Sequence, residues 1–209
     1  IISYLDKAVA VDPQFAMAYF MLAYNYNGTG HMEACVANIQ KAFDLKERVS
    51  ERERYLIEGG YYQYTSERTW DKAIIAFSKL ITLYPWDNTG NTLLADFYWL
   101  NEEWDKSIER YEVLRRYRTE DVTIYYRLAW NYLAKGQPDK AREVLEGYLN
   151  TIADNRHIRA NLGMVYCIQE DFEKAKNEIE KAYSQPQEMP DKWYKLLYLL
   201  SIRDFVGVE

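Results

Sequence analysis

Tyrosine recurs along this chain at a fixed interval. Tyr26, Tyr64, Tyr98, Tyr132 and Tyr166 are separated by 38, 34, 34 and 34 residues. Equal gaps of that size restrict the chain to a stack of similar units before anything else is known about it. Other positions keep step. Nine residues after each tyrosine stands a small residue: Cys35, Ala73, Ser107, Ala141 and Ala175. Thirteen after stands a large apolar one: Ile39, Phe77, Tyr111, Leu145 and Ile179. Full repeats on this frame run 16–49, 54–87, 88–121, 122–155 and 156–189.

Each repeat reads as two helices. Tyr125, Leu128, Ala129 and Tyr132 fall on one helical face, and Ala141, Val144, Leu145 and Tyr148 on another. Turn signals separate the two halves: Asn27-Gly28-Thr29-Gly30, Asn101-Glu102-Glu103, Gly136-Gln137-Pro138 and Gln169-Glu170-Asp171. The recurring small residues have a physical purpose, because two helices approach closely only where one offers a small side chain to a large one. Glycine and proline together number only 14 of 209 residues, which disfavours a turn-dense all-β chain.

The pattern resembles the tetratricopeptide repeat, W-x2-L-G-x2-Y … A-x3-F … A … P. It is carried by Leu-Ala-x2-Tyr at 128–132 and Ala-x3-Leu at 141–145, with comparable residues in the other repeats. The resemblance implies an all-α, right-handed superhelical solenoid: a single domain over 1–209, with five full repeats, a half repeat at each end (1–15 and 190–209), and twelve helices. The half repeats read as a cut from a longer protein. The second repeat departs from the pattern with Gly60-Tyr61 and follows four extra residues, Ser50–Glu53, spelled as a capping box. They are expected to lengthen its first helix by one turn. The wording SERERYLIEGGYYQY…WDKAIIAFSKLITLYPWD is similar to tetratricopeptide regions of bacterial multidomain signalling proteins.

Little in the chain suggests chemistry of its own. The net charge of −6 opposes general nucleic-acid binding. No apolar run approaches a membrane span, and the first residues lack a cationic secretory start, so a cytoplasmic, non-membrane protein is expected. His31 and His157 stand nearly four repeats apart and cannot share a metal. Cys35 and Cys167 are equally distant. No nucleophile-elbow, zincin, P-loop or kinase signature occurs. The expectation is no enzyme, no cofactor and no metal. Arg115, Arg116 and Arg118 follow a helix end, where cations offset the helix dipole. Their sharper reading is a basic docking spot.

The aromatic surplus of 6 Trp, 20 Tyr and 7 Phe asks for an explanation. Several first helices carry a second apolar stripe, as Tyr126, Trp130 and Leu133 do. In the family resembled, such positions face a concave groove. The candidate partner-binding residues are Phe20, Tyr24, Glu58, Tyr62, Asp96, Trp99, Tyr126, Arg127, Trp130, Asn161, Tyr194 and Lys195. The same rings would also serve as core if curvature buries them against one another. The Lys/Asn pair of a carboxylate clamp is missing: the corresponding positions hold Phe20/Tyr24, Glu58/Tyr62, Thr92/Asp96, Tyr126/Trp130 and Ala160/Met164. The expected role is an interaction scaffold that docks a peptide segment or helix of a protein partner. The alternatives are self-assembly through the open ends and the regulatory arm of a larger signalling enzyme.

Overall fold

Every regular repeat turns in the same way, and the hydrogen bonds show how. The computed structural model describes residues 1–66, 69–118 and 120–183. Its helices are α1 (Ile2–Val11), α2 (Ala16–Gly28), α3 (Met32–Asp44), α4 (Glu51–Thr65), α5 (Trp70–Leu83), α6 (Asn88–Leu100), α7 (Trp104–Tyr117), α8 (Val122–Ala134), α9 (Pro138–Thr151), α10 (Arg156–Ile168) and α11 (Phe172–Ala182). No strand occurs among the described residues. The breaks follow the 34-residue frame. The helix expected over 190–203, with Tyr194 and Lys195, lies outside the described residues.

At the end of α2, α6, α8 and α10 the chain makes the same cap. The amides of His31, Glu103, Gln137 and Asp171 donate to the carbonyls of Tyr26, Tyr98, Tyr132 and Tyr166, at 2.8–2.9 Å. One residue earlier, the amides of Gly30, Glu102, Gly136 and Glu170 donate to Asn27, Trp99, Leu133 and Cys167. This is a Schellman motif, which satisfies carbonyls that a helix end leaves open. It places the residue after the cap in the left-handed region: Gly30 (φ 78), Glu102 (φ 59), Gly136 (φ 68) and Glu170 (φ 62).

The repeated small and large residues form the core as expected. Cys35, Ala73, Ser107, Ala141 and Ala175 are fully buried, and so are Ile39, Phe77, Leu145 and Ile179, with Tyr111 nearly so. Contacts divide the chain into two compact units, Ile1–Phe97 and Tyr98–Glu209. In the first, α2 packs on α3, α4 on α5, and α3 on α4. In the second, α8 packs on α9, α10 on α11, and α9 on α10.

The second repeat keeps its own register. Ser50 caps α4 in a full capping box with Glu53, so the helix does begin early. The four extra residues are nevertheless divided, two before and two after Tyr62. Three contacts show this. In the fifth repeat a Cβ on Gly163 would meet Ile179, whereas in the second it is Gly59 that faces the equivalent Phe77. Lys106, Lys140 and Lys174 lie over Tyr98, Tyr132 and Tyr166, whereas Lys72 lies over Tyr62. The Thr69 hydroxyl donates to the Tyr62 carbonyl at 2.7 Å, doing what a backbone amide does elsewhere. Tyr62, not Tyr64, is therefore the structural counterpart of the recurring tyrosine. Gly60 then receives Phe20 and Ile39, and Tyr61 stacks on Phe43 with centroids 3.9 Å apart.

Candidate functional site

In the N-terminal unit α2 and α6 border a cleft of about 150 Å³. Phe20, Met21 and Tyr24 line it from α2; Asn88, Thr89, Thr92 and Leu93 line it from α6. Tyr24 is 43% exposed and Met21 is also open to solvent. Phe20 is only 2% exposed, with its ring against Gly60. It is a core residue that reaches the cleft floor, which corrects its expected place on an accessible face. The physical reason is the missing side chain at Gly60, which draws the ring inward. The register of α4 turns Tyr64 toward Tyr24 and Asp96. Burial pushes the Tyr64 phenol up, and Cys35, Tyr24 and Asp96 push it further, so the hydroxyl stays protonated as a hydrogen-bond donor.

The same register carries Glu58 and Tyr62 elsewhere. They line a depression on the α4–α5 seam with Lys72, Ile75, Ala76 and Lys79. The structure thus separates Glu58 and Tyr62 from Phe20 and Tyr24, and the physical cause is the two-residue offset of α4.

The α6 rim of the cleft is held from beneath. The Asp87 carboxylate, 2% exposed, accepts from the Gly90 amide at 2.7 Å and caps α6. Arg52, from the extra turn of α4, donates to the same carboxylate at 2.5 Å. The Asn91 amide, fully buried, donates to the carbonyls of Pro85 and Asp87. Arg52 carries little sequence signal, because it falls in the four added residues, whereas Asp87 recurs 34 and 68 residues on as the helix caps Asp121 and Asn155.

In the C-terminal unit the expected residues do come together, but largely for packing. Tyr126 and Trp130 lie 5.1 Å apart, and the Arg127 guanidinium sits 5.8 Å from the Trp130 ring. The Trp130 indole donates to Asn161 Oδ1 at 2.7 Å, and the Asn161 amide donates to the His157 carbonyl. Asn161 is buried and holds the indole in place. Trp99 leans on Trp104 with centroids 4.7 Å apart. The arginines at the end of α7 are partly neutralised: Arg115 pairs with Glu112, and Arg118 with Asp121. An open depression of about 540 Å³ beside Tyr117, Arg118, Glu120 and Asp121 is larger than the cleft, but its lining is exposed and polar.

A ladder of polar links recurs on the same frame. The acid-lysine step recurs at Asp71-Lys72, Asp105-Lys106, Asp139-Lys140 and Glu173-Lys174. Each lysine covers a tyrosine. Asp105 and Asp139 also accept from Lys135 and Gln169 of the following repeat.

Residues 16–48 and residues 124–151 each match a tetratricopeptide-repeat family model. No curated protein sequence matches the chain. Solved structures share its fold. A tetratricopeptide repeat protein from Parabacteroides merdae ATCC 43184 is 16% identical, with a TM-score of 0.67 over 96% of this chain and 76% of that one. TTC0263, a thermophilic protein of Thermus thermophilus, is 16% identical, with a TM-score of 0.64 over 90% and 99%. YrrB, described as having an unusual peptide-binding site, is 16% identical, with a TM-score of 0.57 over 97% and 100%. Two of the repeats thus match the tetratricopeptide-repeat family, and the fold is that of tetratricopeptide-repeat structures. Among the described residues no helix is long and apolar enough to cross a membrane, and no cluster of metal-ligating side chains occurs.

Proposed function

We propose that the protein is a non-catalytic scaffold and that the α2–α6 cleft docks a peptide segment or helix of a protein partner. The fold supports an interaction role in general, and the peptide-binding site attributed to YrrB supports a peptide ligand. The observation that carries the reading is the open cleft itself. Tyr24 and Met21 offer contact area, and Asn88, Thr89 and Thr92 stand opposite with neutral hydrogen-bonding groups. Tyr126, Arg127 and Trp130 offer a separate partner surface on the C-terminal unit.

The test is selection of a displayed peptide library on the protein. Clones should bind it and weaken at least tenfold toward Tyr24→Ala combined with Thr92→Arg. Clones indifferent to that double substitution would remove the cleft from the reading.

A second reading has one observation behind it. α1 has no buried residue and leaves Tyr4 75% exposed, with Ile1 and Val11 also open. Such a face suits self-association through end-to-end stacking. Sedimentation should then show a dimer that Tyr4→Asp with Leu5→Asp abolishes; a monomer at all concentrations would end this reading.

A further inference from the structure

The α4–α5 seam does something the fold does not require. The equivalent seam of the fourth repeat is a depression lined by Glu112, Arg115, Tyr132, Lys140, Glu143 and Val144. There Arg115 is paired with Glu112 at 2.7 Å, and both signs of charge share the surface. In the second repeat, Ile75 stands where the fourth has Glu143, and Lys79 where it has Gly147. Ile75 is 54% exposed on a helix that needs only its other face to build the core. The apolar surface continues along α5 through Leu83, 51% exposed, to Trp86 just beyond its end, 64% exposed. Ile75, Lys79 and Thr82 follow i, i+4 and i+7, which is one face of α5, and Trp86 follows in the turn after the helix. Lys72 and Lys79 have no ion pair among the described residues, and seven residues of helix set them about 10 Å apart.

From this we infer that the outer face of α5 is a second docking surface, distinct from the α2–α6 cleft. Its occupant is an acidic amphipathic segment of a protein partner: an aliphatic or aromatic side chain seated over Ile75 and Ala76, flanked by two carboxylates that meet Lys72 and Lys79. Apolar contact along Ile75, Leu83 and Trp86 supplies the area, and the lysines supply register and sign. Lys72 lies over the Tyr62 ring, 5.5 Å from its centroid, so this charge is partly oriented before any ligand arrives. Glu58, on the α4 wall, repels acid and keeps the carboxylates on the α5 side. An isolated exposed isoleucine would mean little, but an exposed apolar stripe with two lysines outside any ion pair, against the single carboxylate of Glu58, on a chain of net charge −6 is a surface shaped for a partner.

The experiment is a random 16-residue peptide display selection on the intact chain, with binding of purified clones read by fluorescence anisotropy. The expected result is a set of clones carrying Asp or Glu on both sides of an apolar residue. These clones should lose at least tenfold in affinity on Lys72→Glu with Lys79→Glu, lose as much on Ile75→Asp, weaken as salt rises, and bind Tyr24→Ala with Thr92→Arg normally. Tyr24, Lys72, Ile75 and Lys79 are exposed and Thr92 is half-buried, and helical circular dichroism of each variant should match the parent. The inference is overturned if no clone distinguishes the seam variants from the parent, if the seam-sensitive clones are basic, or if they are lost equally on the cleft substitutions. It is also overturned if the free protein dimerises and Lys72→Glu with Lys79→Glu abolishes the dimer, because the occupant is then a second copy. Failure of the cleft variants alone would count against the proposed function and leave this surface standing.

Discussion

The second repeat and the fifth solve one packing problem with different residues. In the fifth, Gly163 stands where the repeat pattern places a small residue, and Ile179 fills the space. In the second, that position is Tyr61, and the small residues have moved to Gly59 and Gly60. Phe77 and Phe20 press into them from two sides, and Tyr61 finds its partner in Phe43. The difference teaches that the repeat preserves a contact, a large side chain from the second helix against bare backbone of the first, and not a position in the sequence. When the first helix slides by two residues, the glycines slide with it. What stands beside Phe20 and Tyr24 then changes, from Glu58 and Tyr62 to Gly60 and Tyr64.

The largest effect should come from filling that contact. A Cβ on Gly59 would lie 2.3 Å from the buried Phe77 ring. Gly59→Ala is expected to cost about 3 kcal/mol, and Gly163→Ala, at 2.7 Å from Ile179, about 2 kcal/mol. Denaturant unfolding of both variants measures this. Phe77→Leu should recover much of the loss in Gly59→Ala and nothing in Gly163→Ala. If Gly59→Ala is neutral, the register assigned to α4 is wrong. Gly147 is the control: nothing lies within 4 Å of its Cβ position, so Gly147→Ala in α9 should gain about 0.5–1 kcal/mol.

Next comes the clamp that only the second repeat possesses. Asp87→Ala removes the cap of α6 and strands Arg52, at a cost of about 2 kcal/mol. Arg52→Ala should cost less, since its side chain is half in solvent. An Arg52→Ala variant more damaging than Asp87→Ala would contradict the view that the carboxylate organises this corner.

These cases show what was legible. The helices, their order, the buried small-large pairs and the turn locations all follow from a period, and a period is visible in one sequence. Residue-level placement in the second repeat was not, because the 38-residue gap reveals that four residues were added without revealing where. Tyr62 and Tyr64 are two apart, both tyrosine, and both fit the apolar pattern. Only contacts with Phe77, Lys72 and Thr69 separate them. Phe20 was misplaced for a related reason: its own helix marks it as groove, but its environment is decided by a glycine forty residues away. Trp130 and Asn161 each stand at a groove position by spacing, and their hydrogen bond to one another is a property of the fold that spacing does not reveal.

A smaller, pH-dependent effect separates the two cysteines. Burial pushes the Cys35 thiol up to about 11 from 9.0, and raises Cys167 as well. A thiol whose folded value is raised supports the fold fully below the unfolded value, and that support is lost as pH rises through the folded value. Stability should therefore decline between about pH 9 and 11, and Cys35→Ala should flatten part of the decline. Cys35, fully buried beneath α4, should also be alkylated more slowly than the half-buried Cys167. Equal alkylation rates would show that the α3–α4 contact opens readily.

The smallest effect concerns the turns, where the regular repeats differ among themselves. Gly30 and Gly136 hold the left-handed position with no side chain to strain, whereas Glu102 and Glu170 hold the same geometry with one. A left-handed residue costs roughly 1 kcal/mol or more when it carries a Cβ. Glycine, however, enlarges the unfolded ensemble and returns part of that gain. Glu170→Gly is accordingly expected to stabilise by only about 0.5 kcal/mol, while Gly136→Ala, which adds strain, should destabilise by about 1 kcal/mol. Both variants keep the amide that closes on Cys167 or Leu133, so the difference isolates backbone conformation from hydrogen bonding. If Glu170→Gly instead destabilises, Glu170 is contributing through its side chain, and the Schellman geometry alone does not explain why two of the four caps dispense with glycine.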